Sequence, residues 1–421
     1  MRVARRLRVT RILLDSRPLR IVPYRRLWMS TAVTAVGSQM TAVAVPKQVY
    51  DITGSSAWVG LSGLVALVPL LVFGIWGGAI ADAVDRRRLL LVTNVGIAAT
   101  SLLLFAQAAA GLRSVWVVFA LLAVQQGLFG INQPTRTASV PRLVPVEQLP
   151  AANALNSTTS QFGQIMGPMM AGALIPVLGL SKLYLLDSIG LVAMLWAVWL
   201  LPALPPLSAG SRAGLRDVVE GFRYMSTRPV LLTALLADVI AMVFGMPRAL
   251  FPQMAQTVFG DPPGGGLALG LLYASIPIGA LAGGLFSGTF SRVRRHGLAV
   301  VVAVCGWGLA MAGFGLAHQL WLACVLLALG GMADIVSMVF RSSILQAAAT
   351  DQMRGRMQGV FTVVVAGGPR LADLTHGTVG AAAGTTVAVT GGGLLAVVVM
   401  LGMVALLPAL IHYRAPTTAI E

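Results

Sequence analysis

The sequence predicts an all-α polytopic membrane protein: twelve transmembrane helices in two pseudo-symmetric six-helix halves, with both termini cytoplasmic. Three observations carry that prediction. Of 421 residues, 57% are hydrophobic and 10% charged, and mean hydropathy is +0.83, far from the balance of a soluble domain. About a dozen apolar runs reach the ~20 residues that a helix needs to cross the hydrocarbon core. Of the 30 lysines and arginines, all but Lys47, Arg113, Lys182, Arg248 and Arg370 fall on one side if the helices alternate from a cytoplasmic start.

Charge and rare residue types narrow the function classes. A net charge of +16 invites a nucleic-acid reading. Its one-sided placement is the positive-inside pattern, however, so no nucleic-acid partner is needed. Residues 1–26 read as a basic cytoplasmic tail placed to touch anionic membrane lipids. No small-residue cleavage pattern follows the first apolar run, which reads as a retained helix rather than a signal peptide. Cys305 and Cys324 sit singly in apolar runs, and His296, His318, His376 and His412 lack ligand spacing, so no disulfide or metal is expected. No phosphate-binding loop of the G-x-x-x-x-G-K-[ST] type is present, and neither a cofactor nor enzymatic activity is expected.

The N-terminal half occupies 27–201. Its first span, 27–49, follows the arginine tail and is broken near its end by Pro46. The second runs to a charged turn after Trp76, and the third, 89–111, fills the apolar stretch beyond it. The fourth, 115–133, is expected to stop at Pro134. A basic, proline-containing connection leads to the fifth, 151–178, and the sixth, 183–201. Residues 202–228 form a cytoplasmic linker opening with Pro202, Pro205 and Pro206. Within it Leu215, Val218, Val219 and Phe222 share a face opposite Asp217, Glu220 and Arg223, which predicts an amphipathic interfacial helix. The C-terminal half, 229–411, holds spans near 230–251, 267–290, 297–317, 320–340, 357–383 and 387–411, followed by a tail, 412–421. Two matches relate the halves at nearly equal offsets. Gly77-Gly78 with Arg86, Arg87 and Arg88 recurs as Gly283-Gly284 with Arg292, Arg294 and Arg295, and Glu147-Gln148-Leu149 recurs as Asp351-Gln352-Met353.

The charged turn reads Gly77-Gly78-Ala79-Ile80-Ala81-Asp82-Ala83-Val84-Asp85-Arg86-Arg87-Arg88. Two acids and three arginines cannot sit in hydrocarbon, so this is a tight turn at a membrane face. Its G-x-x-x-D-x-x-x-R-R spacing resembles the signature loop between the second and third helices of major facilitator superfamily transporters. Val43-Ala44-Val45-Pro46, Leu271-Leu272-Tyr273-Ala274-Ser275-Ile276-Pro277-Ile278-Gly279-Ala280 and Gly355-Arg356 extend the resemblance toward the efflux branch that contains enterobactin exporters and macrolide-efflux proteins. The resemblance implies that Asp82 caps a helix N-terminus in the opposite half and latches the cytoplasmic side, with Asp85, Arg86 and Arg87 in the same gating group. A carboxylate at such a helix end gains roughly 0.3–1 kcal/mol, more if partly buried. Ala83 and Asp85 depart from the family pattern, which usually has a basic residue and a glycine there.

Gly163, Gly167, Pro168, Ala171 and Gly172 in the fifth span resemble the antiporter motif. Small residues allow close helix approach and the proline bends the helix. The same span presents Asn153, Asn156, Ser157, Ser160, Gln161 and Gln164 on one face, a stripe that suits a water-filled pathway. Gln39 and Gln126 join it as pathway candidates. Ala123 stands where many proton-coupled drug exporters place an arginine before x-x-Gln-Gly, so no mechanism is built on that arginine. Ionisable residues inside spans are costly unless paired or functional. Asp187 lies in the sixth span, Asp238 in the seventh, and Asp334 and Arg341 in the tenth. Arg370, Asp373 and His376 follow at spacings of three in the eleventh, where Arg370 and Asp373 can pair. Asp238 has no basic neighbour within a turn, and it and Asp373 are the leading candidates for proton coupling or substrate charge.

These features point to a secondary active exporter, read as a monomer, that moves a small organic molecule by alternating access in exchange for protons. An enterobactin-like siderophore or an amphiphilic drug fits. Arg248, Arg341 and Arg370 could meet an anionic siderophore. The rival readings are a nutrient uptake carrier and a membrane sensor or scaffold that binds without transporting. Asp82→Asn is expected to impair transport while leaving insertion and expression intact, because the three arginines still set topology. Normal transport by that variant in proteoliposomes would reduce the loop to an anchor.

Overall fold

The computed structural model describes residues 15–206, 215–286, 288, 290, 293–348 and 350–414, without the side chains at 78, 79, 82, 215–217, 351, 352, 354, 355 and 358. Its helices are α1 Val22–Thr53, α2 Ser56–Ala83, α3 Arg86–Ala109, α4 Val115–Ser139, α5 Leu149–Trp199, α6 Leu215–Ser226 and α7 Pro229–Gly245. They continue with α8 Phe251–Thr257, α9 Leu267–Leu285, α10 His296–Leu316, α11 Leu320–Ala348, α12 Asp351–Ala383 and α13 Thr385–Leu406. Among the described residues, 9 stretches are long and apolar enough to cross a membrane. The long helices α1 (32 residues) and α12 (33 residues) are not among them, because polar side chains interrupt their apolar faces.

Local chemistry sets the turns. Gly54, at φ 65, ends α1 in the left-handed conformation, and its N–H reaches the Tyr50 carbonyl at 2.7 Å. The Ser55 hydroxyl then accepts from the Ala57 N–H to start α2. Asp85 plays the same part for α3, accepting from the Arg88 N–H at 3.1 Å.

Three boundaries differ from the sequence expectation. Pro134 does not end the fourth span: α4 continues to Ser139, a tolerated arrangement where neighbouring helices cover the freed carbonyl. Gly77 of α2 packs against that carbonyl, on Gly130. The expected gap between the fifth and sixth spans shrinks to one residue, Gly179, whose backbone (φ 79, ψ 163) breaks α5 into two arms. The seventh span is shorter than expected: α7 stops at Gly245, and Pro247 leads into a single 3-10 turn and the short α8.

The long core runs through both halves, with Met40, Val45, Leu104, Ile175, Tyr184, Phe251, Leu272, Trp307 and Phe314 all buried. A second cluster seals the arginine-rich end of the N-terminal half around Tyr24, Leu90, Val144, Leu155, Met194 and Leu204. A third packs α6 onto α7 and α12 through Met225, Leu231, Leu235, Met357 and Val360. Outside, exposed tryptophans stand at two levels, Trp76, Trp196 and Trp199 toward the basic end and Trp116 and Trp321 toward the other. This is the placement of interfacial aromatic belts.

The halves meet mainly at the end away from the arginine-rich loops. There α5 crosses α9 so closely that a β-carbon on Gly172 would stand 2.7 Å from the Gly270 Cα. Nearby, α2 lies against α12, and the Ser56 hydroxyl donates to the Gly377 carbonyl at 3.0 Å. The two crossings hold that end shut and leave space between the halves toward the basic end.

Candidate substrate cavity and its gates

A cavity of about 600 Å³ occupies the interior of the N-terminal half. Helices α1, α3, α4 and both arms of α5 wall it, and Arg370 of α12 reaches it from the other half. Its lining runs from Tyr24, Trp28 and Arg136 at the basic end to Val45 and Pro46 near the closed end. Of the polar stripe on α5, Asn153, Asn156, Ser157 and Ser160 line it, as do Gln39 and Gln126. Gln161 and Gln164 do not; the Gln164 amide instead donates to Ser160 and Gln161, each at 3.3 Å. Arg136, which the sequence placed only among the topology-setting cations, faces this space and donates to the Gln133 side chain at 2.5 Å.

Glycines in α5 bring the cavity walls together. Gly163 lies against Ala35 and Gly167 against Gln39, both on α1, while Gly172 and the Pro168 carbonyl meet Gly270 across the halves.

At the closed end a lysine bridges the halves. The side chain of Lys47 is buried, and its ammonium pairs with Asp51 one turn on and donates to the Pro263 carbonyl at 2.5 Å. Pro263 belongs to the loop between α8 and α9. Gln256 from the same half donates to both Asp51 and Pro263, at 3.2 Å each. Gly265, at φ 91, lets this loop approach: a β-carbon there would stand 2.7 Å from Ile175 and 3.3 Å from the Lys47 stem. Sequence reading passed over Lys47 as an exception to the basic-side pattern. That exception, with an acid four residues on, was the available signal.

At the basic end Asp85, Arg86 and Arg87 of the charged turn make bonds to neighbouring backbone groups of the N-terminal half and the linker. Asp85 accepts from the Leu204 N–H at 3.0 Å as well as capping α3, and the Arg86 N–H reaches the Leu204 carbonyl at 3.1 Å. The Arg86 side chain donates to the Ala138 carbonyl at 2.8 Å, Arg87 to the Trp199 carbonyl, and Arg142 to the Pro205 carbonyl at 2.6 Å. These bonds of Asp85 and Arg87, and those of Arg86 to Leu204 and Ala138, lie within the N-terminal half and the linker. Their short polar bonds go to the nearest free carbonyls and N–H groups, at the ends of α4, α5 and the linker. The Asp82 side chain lies outside the described residues.

The remaining charged candidates sit in the C-terminal half. Asp238 is fully buried and pairs with Arg341 of α11, whose guanidinium also lies 4.0 Å from Asp334. The partner that sequence spacing could not supply therefore comes from another helix. Neither Arg341 nor Arg248 lines the cavity, so of the three arginines expected to meet substrate, Arg370 alone does. Arg370 and Asp373, expected as a pair, form no ion pair among the described residues. Successive side chains diverge here, Arg370 toward the cavity and Asp373 against Gly63 of α2. His376 is buried, with Nδ1 at 3.1 Å from the Ala372 carbonyl and its ring against Gly392. It packs among α7, α12 and α13, away from the cavity.

Comparison with known proteins follows this geometry. The major facilitator superfamily model described as a transmembrane secretion effector matches residues 15–416. The chain belongs to this family. The enterobactin exporter EntS of Escherichia coli strain K12 is 31% identical over 398 residues, covering 93% of each chain. That of Citrobacter koseri is 29% identical over 397 residues, covering 93% of this chain and 94% of the relative. Among solved structures, the D323A mutant of the nucleoside transporter NupG superposes with TM-score 0.76 at 11% identity, covering 91% of this chain and 99% of its own. A bacterial homologue of the iron transporter ferroportin does so with TM-score 0.70 at 14% identity, covering 94% and 99%. The chain is thus a multi-pass protein of the bacterial inner membrane and a secondary active exporter, not an enzyme.

Lys47→Met removes the cross-half ammonium without losing its packing volume. Breaking a buried pair from one side costs about 3–5 kcal/mol. The closed end is therefore expected to open. An Ile175→Cys probe, at a position buried beneath Gly265, should then be labelled at least roughly tenfold faster by an impermeant maleimide added on that side, once Cys305 and Cys324 are replaced. Unchanged labelling would remove Lys47 from the gate. Arg341→Met strands the Asp238 charge and is expected to lower the melting temperature by a similar free energy, whereas Asp238→Leu with Arg341→Met should restore most of it. A double variant as unstable as the single one would show that charge compensation is not what the pair supplies.

Proposed function

We propose that this exporter is a twelve-helix monomer with cytoplasmic termini that carries an oxygen-rich siderophore of the enterobactin kind out of the cytoplasm, in exchange for protons. The present conformation is then the inward-open one, with the basic end cytoplasmic and the α1–α9 loop contact closing the outside. One observation carries the reading: the cavity that opens toward the basic end is walled by amides and hydroxyls, and Arg136 and Arg370 are its cations. A volume of about 600 Å³ suits a drug-sized molecule. The two guanidiniums suit catechol and carbonyl oxygens, which they bind as charge-assisted hydrogen bonds. The named activity of the EntS relatives supports the same substrate class. Trp28, Leu122 and Phe129 in the wall give an amphiphilic drug its best argument.

Twelve spans follow if Gly179 separates two crossings and the polar-faced α1 and α12 also cross. The outward-facing apolar residues would lie in lipid. The exposed Val219 and Phe222 on α6 would rest at its surface.

The test is counterflow of a labelled catecholate siderophore in proteoliposomes, alongside internal siderophore levels in a deletion strain. Exchange and internal build-up are expected. Arg136→Gln and Arg370→Gln are each expected to weaken binding by about tenfold, the scale of one charge-assisted hydrogen bond. Exchange of cationic drugs but of no siderophore would overturn the substrate class, and reduced uptake with unchanged internal levels would reverse the direction.

A further inference from the structure

The second arm of α5 carries a carboxylate that the pathway residues do not explain. Asp187 is 3% exposed and lines the cavity wall. Its Oδ2 accepts from the Thr41 hydroxyl of α1 at 3.0 Å and from the Ser101 hydroxyl of α3 at 2.9 Å. Ser101 in turn accepts from the Gln125 amide of α4 at 3.0 Å, which leaves its own hydrogen for Asp187. Four helices thus converge on one carboxyl group. Room for it is made by Gly37, where a β-carbon would stand 2.6 Å from Oδ1. Oδ1 has no protein partner among the described residues.

Among the described residues, no charged group around it forms an ion pair with it. On α1, Lys47 lies about a turn and a half beyond Thr41 and is held by Asp51 and Pro263. On α5, Tyr184 donates to Gln48 at 2.8 Å. The cavity's cations, Arg136 on α4 and Arg370 on α12, form no ion pair with Asp187 among the described residues. A carboxylate walled in this way has hydrogen-bond donors and no counter-charge. Metal is a poor occupant, because the hydroxyls turn hydrogens toward the carboxylate instead of forming the oxygen cage that a hard cation needs.

We propose that Asp187 is the proton-carrying group of the exchange, a role that rests on the proton-coupled reading above. In the inward-open state the ionised Oδ1 accepts from a hydroxyl of the substrate. In the outward-open state a proton from the outside takes that place, the carboxyl group becomes neutral, and the substrate loses its acceptor and leaves. On return the proton passes to cytoplasmic water. Proton and substrate compete for one oxygen, which makes the cycle an antiport without a second ion site. The pairing of Asp238 with Arg341 leaves that acid a different task.

The test uses the full-length protein in two measurements. The first is pH-difference infrared spectroscopy in detergent, where the wild type is expected to show a titrating carboxyl band that is missing from Asp187→Asn and diminished by a catecholate siderophore. Absence of any band that depends on Asp187 overturns the proposal whether or not transport is proton-coupled. The second compares siderophore counterflow at equal pH with efflux driven by a pH gradient in proteoliposomes. Asp187→Asn, which resembles the neutral carboxyl group, is expected to lose at least tenfold of both. Its residual counterflow is expected no longer to change with pH, whereas wild-type counterflow falls as pH drops through the midpoint of the band. Wild-type gradient-driven efflux by this variant assigns the proton elsewhere. A wild type that exchanges siderophore but ignores the gradient overturns proton coupling itself. Thr41→Val and Ser101→Ala, each removing one hydroxyl donor, guard against misfolding of the first variant. Both should transport and shift the titration midpoint of the band, and an unmoved midpoint in both would count against Asp187.

Discussion

An ammonium group shut away from water must be answered by oxygen, and Lys47 is answered from both halves at once. Asp51 holds it from its own helix, and the Pro263 carbonyl holds it from the loop between α8 and α9. Leaving either side would strand a charge in a low-dielectric interior, where the cost exceeds that of any surface pair. The glycine crossing of α5 with α9 and the seating of Gly265 against Ile175 let the chains come close enough for that contact. With one end closed in this way, two rigid halves can separate only at the other. The cavity and its opening toward the arginine-rich loops follow from the closure.

The halves spend their polar residues differently. In the N-terminal half, amides and hydroxyls on α1, α3, α4 and α5 turn inward and stay open to the cavity. In the C-terminal half Asp238 and Asp334 stand on either side of Arg341 and the Trp307 indole donates to the Ala241 carbonyl at 2.9 Å, while Arg370 is the cation that this half sends to the cavity. A half whose charges are paired resists rearrangement, whereas one whose carboxylate lacks a cation responds to whatever enters. Binding energy can bias a two-state equilibrium only through groups that it meets differently in the two states. Such groups are concentrated in the N-terminal half.

Much of this was legible before any coordinates. Spacings of three and four put Asn153, Asn156, Ser157 and Ser160 on the cavity wall, while Gln161 and Gln164, expected on the same face, lie outside it. The charge bias and the glycine pattern of α5 were legible for the same local reason. What escaped were contacts between residues far apart in the chain. Asp238 meets Arg341 from another helix, and Asp187 meets Thr41 and Ser101 from two more. Each is a single polar residue in an apolar run, with no periodicity to reveal its partner. Pro134 misled for a related reason. Its breaking effect belongs to helices in water, and packing against Gly77 of α2 overrides it here.

The charged turn shows why one cluster of residues can serve topology and mechanics together. Arg86, Arg87 and Asp85 must stay at the membrane face, and once there they find the unsatisfied backbone groups that helix ends expose. The groups they find are the ends of α4 and α5 and the linker at Leu204, so the first part of the linker moves with the N-terminal half. Its later part, α6, is tied to the other half through the Glu220 pair with Arg356 at 3.0 Å and through Met225 in the α7–α12 cluster. A rocking motion of the halves therefore does not have to break the bonds that Asp85 makes to Leu204, Arg86 to Ala138 and Arg87 to Trp199.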